Sequence, residues 1–139
     1  MKTLERVRMP VKSILVIDDE RAICEVVKLC LSDLGGWDVF AVNSPLEGLR
    51  RASLDRPDAI VVDISMPEMD GFTFLERLRN NPDTQAIPVV LLSAKARWLD
   101  PQVLRKYKIA GAIAKPFDAT ALSARIAAFL GWDFPSLTD

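Results

Sequence analysis

Short apolar runs that break off at a charged or hydroxyl residue, each followed by a helical pattern, recur along this chain and confine it to few folds. The first run is Ser13-Ile14-Leu15-Val16-Ile17, cut off by Asp18-Asp19-Glu20. A short apolar stretch without polar alternation reads as a strand buried on both faces. Apolar residues then fall at Ile23, Val26, Val27, Cys30, Leu31 and Leu34, one face of an amphipathic helix that Gly35-Gly36 stops. Trp37 to Val42 reads as a second strand. A second helix follows, with Ser44 as its cap and Pro45 at its first position.

The unit then repeats. Ala59-Ile60-Val61-Val62 ends at Asp63, and a loop from Ile64 to Asp70 leads into a helix from Gly71 to about Asn80. Ile87 to Leu92 forms a fourth strand ending at Ser93, and a helix-like stretch covers Asp100 to Tyr107. Ile109 to Ala114 contains a fifth strand ending at Lys115-Pro116, and Asp118 caps a last helix carrying Leu122, Ile126, Phe129 and Leu130. Strand–helix units with short connections imply an open parallel sheet covered on both faces, an α/β fold. In such sheets ligands bind beyond the carboxyl ends of the strands, near the point where strand order reverses. Those ends carry Asp18-Asp19, Asp63, Ser93 and Lys115.

No histidine occurs among the 139 residues. That excludes Ser-His-Asp and Cys-His catalysis, imidazole-bound zinc and an imidazole proton shuttle. The length leaves room for one domain. With 18 Lys plus Arg against 19 Asp plus Glu, there is no basic excess to suggest nucleic acid or an anionic membrane as partner. No apolar run approaches membrane-spanning length and no signal peptide opens the chain, so a cytoplasmic location is expected. On a helix Cys24 and Cys30 sit about 120° out of alignment, which disfavours a bridge; they read as a surface thiol and a core filler. Trp37 and Trp132 read as packing residues, and Trp98 as a candidate partner contact.

Carboxylates sharing one crevice repel one another by about 4 kcal/mol per pair at about 4 Å and an effective dielectric of about 20. A hard divalent cation and an ammonium would relieve that repulsion. Oxygen ligands without His or Cys favour Mg²⁺, with Mn²⁺ as substitute, and Mg²⁺ tends to recruit phosphate oxygens. A carboxylate can itself be the nucleophile of phosphoryl transfer, giving an aspartyl phosphate. Asp63 as acceptor, Lys115 as charge partner and Ser93 as hydroxyl donor fill the roles such chemistry needs.

Four segments in order, Val16-Ile17-Asp18-Asp19, Val61 through Gly71, Leu91-Leu92-Ser93-Ala94 and Ala114-Lys115-Pro116-Phe117, resemble the response-regulator receiver domain of two-component signalling over residues 12–130. The resemblance implies a (βα)5 flavodoxin-like three-layer sandwich with strand order 2-1-3-4-5. It implies that Asp63 accepts the phosphoryl group, that Asp19 ligates Mg²⁺ directly and Asp18 largely through water, and that Ser65 supplies a backbone carbonyl, its side chain mattering less. Ser93 matches the switch hydroxyl and Lys115 the lysine that pairs with the phosphoryl group. Pro116 stands where a cis bond is frequent, and Ala94 and Lys95 where hydrolysis is tuned. The partners implied are a histidine kinase or histidine phosphotransfer protein, since this chain has no donor histidine of its own, and an output protein of unknown identity. The protein would be a monomer or weak dimer, not an enzyme in the ordinary sense, assisting its own phosphorylation and autodephosphorylation.

One position departs from that pattern. Three residues before Lys115 the family carries a switching Tyr or Phe, and here stands Ala112, which has no rotamer to switch. This leaves an alternative reading, a constitutive interaction module with a receiver fold and no phospho-switching. A Mg²⁺-dependent phosphatase is disfavoured, because neither Asp18-Asp19 nor Asp63-Ile64-Ser65 supplies an Asp-x-Asp nucleophile. Residues 1–11 read as an N-terminal extension and 131–139 as a C-terminal tail, too short for an output domain.

Overall fold

Strand β1 (Ser13–Ile17) is followed by α1 (Arg21–Asp33), β2 (Asp38–Val42), α2 (Pro45–Asp55), β3 (Ala59–Val62), α3 (Gly71–Asn80), β4 (Val89–Ser93), α4 (Pro101–Lys106), β5 (Ile109–Ala114), a short 3₁₀ turn (Ala119–Ala121) and α5 (Leu122–Leu130). The coordinates are a computed structural model that describes residues 11–66, 69–94 and 100–133. The strands form one parallel sheet in the order β2-β1-β3-β4-β5, the order that the family resemblance implies. Alternate residues of each central strand enter opposite layers. Ile14, Val16, Val61, Val90 and Leu92 pack with Cys24, Val27 and Leu31 of α1 and with Leu122 and Ile126 of α5. Leu15, Ile17, Ile60, Val62 and Leu91 pack with Ala52 of α2 and with Phe74, Leu75 and Leu78 of α3. Every residue of β3 and β4 is buried, so these strands lack polar alternation because both of their faces are covered.

α4 is one residue shorter at each end than the expected Asp100 to Tyr107, which serve as its caps, and three further boundaries differ from the sequence reading, each for a local reason. β2 begins at Asp38, because the Trp37 N–H is spent on the Leu31 carbonyl at the end of α1. β4 begins at Val89, because the Ile87 N–H bonds Thr84 O and Pro88 has no N–H to give. Asp118 caps the 3₁₀ turn, its carboxylate accepting from Thr120 N, and α5 starts only at Leu122. The buried stripe of α1 also differs: Cys24, Val27 and Leu31 are buried, whereas Val26 and Leu34 face solvent. Cys24 is therefore the core thiol and Cys30 the half-buried one, both of them free.

Trp132 packs edge-on against Trp37 with ring centroids 5.4 Å apart, and Lys12 lies over its ring. Both tryptophans thus close the lower edge of one layer, as expected of packing residues. At the same lower end of the sheet, the Arg79 guanidinium donates to the carbonyls of Tyr107, Gln85, Ile87 and Lys108, binding the end of α3 to the entries of β4 and β5. No helix of the described residues is long and apolar enough to cross a membrane.

Candidate functional site

Asp18, Asp63 and Lys115 are the first residues past β1, β3 and β5, still held by the ladder, and Ser93 is the last residue of β4. Asp18 N donates to Val42 O, Asp63 N to Ile17 O, and Lys115 N to Ser93 O. Each polar residue inherits a strand's fixed position while leaving the apolar layer. The Asp18 carbonyl is fixed further by the Asn43 amide at 3.0 Å and the Cys24 thiol at 3.3 Å. The Lys115–Pro116 bond is cis.

Lys115 is the hub. Its Nζ donates to Asp18 Oδ2 at 2.7 Å, to Asp63 Oδ2 at 3.1 Å and to Glu20 Oε1 at 3.3 Å. The first two carboxylates are almost fully buried, and Lys115 keeps only 13% of its side chain exposed, so these bonds act in a poorly screened medium. Burial raises the Asp18 carboxyl above its ordinary value, with the Lys115 bond and the Glu20 N–H pulling the other way. Burial also disfavours the Lys115 charge, yet its bonds to Asp18 and Asp63 outweigh that and hold the ammonium above its ordinary pKa.

Asp18, Glu20 and Asp63 can each place one carboxylate oxygen within 4.8 Å of the others. That set fits a hard divalent cation, being all oxygen. The structure does not bring Asp19 into this group; its side chain is exposed, and Glu20 takes the third place. Glu20 was legible only as the last acid of the run after β1, and the role of Asn43 carried no signal beyond its place before a helix cap. Ser93 is fully buried, and its Oγ lies 3.1 Å from Ser65 Oγ. The Ser65 side chain therefore makes a hydrogen bond at the site beyond the backbone carbonyl that the resemblance assigns to it. Ala94 is exposed at the end of β4, Pro116 is exposed, and Ala112 is half-buried on β5 opposite Leu91. Lys95, Trp98, Pro67 and Glu68 lie outside the described residues.

Cys24 lines the inner wall, and burial first, then the Asp18 charge, pushes its thiol up to about 11. Above pH 9 the unfolded chain would release this proton and the folded chain would keep it. The associated stability is therefore whole below pH 9 and lost as the pH rises toward 11, by about 3 kcal/mol at roughly 1.4 kcal/mol per pK unit. Urea midpoints are expected to fall across that interval, and to fall less steeply in Cys24→Ala; equal slopes would contradict the assignment.

Residues 14–127 match the family model of the response regulator receiver domain. The chain is 36% identical to the DNA-binding dual master transcriptional regulator RpaA of Synechocystis sp., over 84% of this chain and 48% of that protein. It is 31% identical to the alkaline phosphatase synthesis transcriptional regulatory protein PhoP of Bacillus subtilis, over 86% of this chain and 48% of that protein. It thus spans about half the length of the curated relatives it matches. Among solved structures, the chemotaxis response regulator CheY4 of Vibrio cholerae superposes with a TM-score of 0.78 at 26% identity, covering 86% of this chain and 99% of that one. The N-terminal domain of a response regulator receiver protein from Methanoculleus marisnigri does so with a TM-score of 0.69 at 34% identity, over 86% and 96%.

Proposed function

The chain belongs to the response regulator receiver domain family of two-component signalling, and from that premise we propose that Asp63 accepts a phosphoryl group from a phosphohistidine outside these 139 residues and signals by protein–protein contact. The observation that supports this best is the Lys115 ammonium bridging Asp18 and Asp63 at 2.7 and 3.1 Å, a cation already placed where charge develops. A carboxylate oxygen of Asp63 attacks the phosphorus. The new O–P bond forms as the donor N–P bond breaks, and the electron pair returns to the imidazole nitrogen, which takes a proton from solvent. Lys115, bonded to Asp63 Oδ2, then faces the phosphoryl oxygens, and Ser93 stands one strand away to donate to one of them. Release of phosphate by water resets the site.

Asp18, Asp19, Asp63 and the Ser65 carbonyl are the proposed metal ligands, with Glu20 as a further oxygen donor within reach. Mg²⁺, or Mn²⁺ in its place, supplies neutralisation of the phosphoryl charge when bound. Residues 12–130 are assigned to the receiver unit, with 1–11 as an extension and 131–139 as a tail; of these, 1–10 and 134–139 lie outside the described residues. The module is a signalling element, with partner kinase or phosphotransfer protein, cytoplasmic location, and monomeric or weakly dimeric state as parts of the same proposal. Incubation with a small acyl phosphate and Mg²⁺ is expected to add one phosphoryl group by intact mass, and Asp63→Asn to abolish the gain. Equal labelling of both proteins would refute the assignment.

Ala112 favours a second reading, a constitutive module. Its half-buried methyl packs in the layer containing Phe74 and Tyr107 and has no second rotamer to offer. In that case partner affinity is the same with and without beryllofluoride.

A further inference from the structure

Ser65 is exposed, yet it is held from two sides. Its N–H donates to Asp63 Oδ1 at 2.9 Å, and its Oγ lies 3.1 Å from Ser93 Oγ, with either hydroxyl able to donate. Its neighbours are anchored: Met66 is buried, and Ile64 packs into the same layer. Ile64 also lies so close to Gly71, the first residue of α3, that a Cβ there would collide with it. Direct contacts therefore run from Ser93 on β4, through Ser65 and Ile64, to the start of α3. Towards β5, by contrast, Ser93 pairs with Ala114 and Leu91 with Ala112, so on this face only methyls stand beside this part of β4.

We propose that Ser65 reads the state of Ser93, so that the signal leaves the site through Ile64 to Gly71 at the start of α3. This rests on Asp63 being the phospho-acceptor and adds where the change goes. Each serine hydroxyl has one proton. While Asp63 is free, the Ser65–Ser93 bond can run in either direction. Once Ser93 commits its proton to a phosphoryl oxygen, the pair survives only with Ser65 as donor, and otherwise it parts. At the same time the Asp63 carboxylate becomes an acyl phosphate, a weaker acceptor for the Ser65 N–H. Both bonds of Ser65 thus respond to one event, and the two bonding patterns are the discrete states that such a switch needs.

The test uses amide spectra of the full chain with Mg²⁺, with and without beryllofluoride, for the native protein, Ser65→Ala and Ser65→Thr. In the native protein, the amides of Lys115, Gly71 and Phe72 are expected to shift. In Ser65→Ala, which keeps the backbone carbonyl and N–H and loses only the hydroxyl, the Lys115 shift at saturating beryllofluoride reports binding, and the shifts of Gly71 and Phe72 should be clearly smaller; Ser65→Thr should restore them. Undiminished Gly71 and Phe72 shifts in Ser65→Ala would overturn the relay and leave the phospho-acceptor reading standing. Loss of the Lys115 shift in Ser65→Ala would overturn it too, by making the Ser65 hydroxyl itself a ligand-binding group. Absence of any Lys115 shift in the native protein, together with no gain of phosphate, would overturn both readings.

Discussion

Lys115→Met is expected to lower the unfolding free energy by about 3 to 5 kcal/mol at neutral pH, the range for removing one partner of a buried ion pair. The methionine keeps most of the volume, so the loss is electrostatic. Asp18 and Asp63, almost fully buried, would face each other without the ammonium. Asp18 already has its pKa raised by burial, and losing Lys115 removes the main influence pulling it down. The sign follows from linkage. In the variant, a buried carboxyl with a raised pKa stays protonated while the unfolded chain ionises, so the penalty grows as the pH rises through the ordinary carboxylate range. The deficit relative to the native protein should therefore shrink between pH 7 and pH 5, and millimolar Mg²⁺ should shrink it at pH 7. Urea melts at both pH values decide the matter: a deficit independent of pH and of Mg²⁺ would mean that Lys115 stabilises by packing alone.

Gly71→Val should cost about 3 kcal/mol, the upper part of the overpacking range. At Gly71 a Cβ would collide with the Ile64 Cβ and lie 2.6 Å from its Cα and carbonyl oxygen. Backbone cannot rotate aside as a side-chain end can. At Gly48 the nearest atoms are the methyls and methylene of the Ile17 side chain, and an alanine there should cost less. The Gly71 change reaches the chemistry as well. Moving Ile64 moves Ser65, whose N–H is bonded to Asp63, so the variant should take up phosphoryl more slowly from a small acyl phosphate. A fall in melting temperature of roughly 10 °C with an unchanged rate of uptake would separate packing from the site and contradict this link.

Most of the scaffold was legible because each central strand is an uninterrupted apolar run ended by one polar residue. The same residues, Asp18, Asp63, Ser93 and Lys115, marked both the strand ends and the site. What escaped depended on three dimensions. The candidate stripe on α1 was wider than the sheet can cover, so Val26 and Leu34 stayed outside while Cys24, read as a surface thiol, went to the core. Phe129 is partly exposed although it lies against Gly111, where a side chain would strike its ring. Ser123, polar and unremarked in the sequence, is buried because its hydroxyl donates to Cys30 O across the helix pair. The inward reach of Glu20 and the Ser65–Ser93 pair are matters of side-chain direction, which neither period nor spacing encodes.

The guanidinium of Arg79 gives the molecule a heel. It holds the turn before β4 and the turn before β5 against the end of α3 through four carbonyls, at the sheet end farthest from Lys115. Because the clamp and the site stand at opposite ends of β4 and β5, what fixes the start of these two strands is separate from the chemistry beyond their far ends.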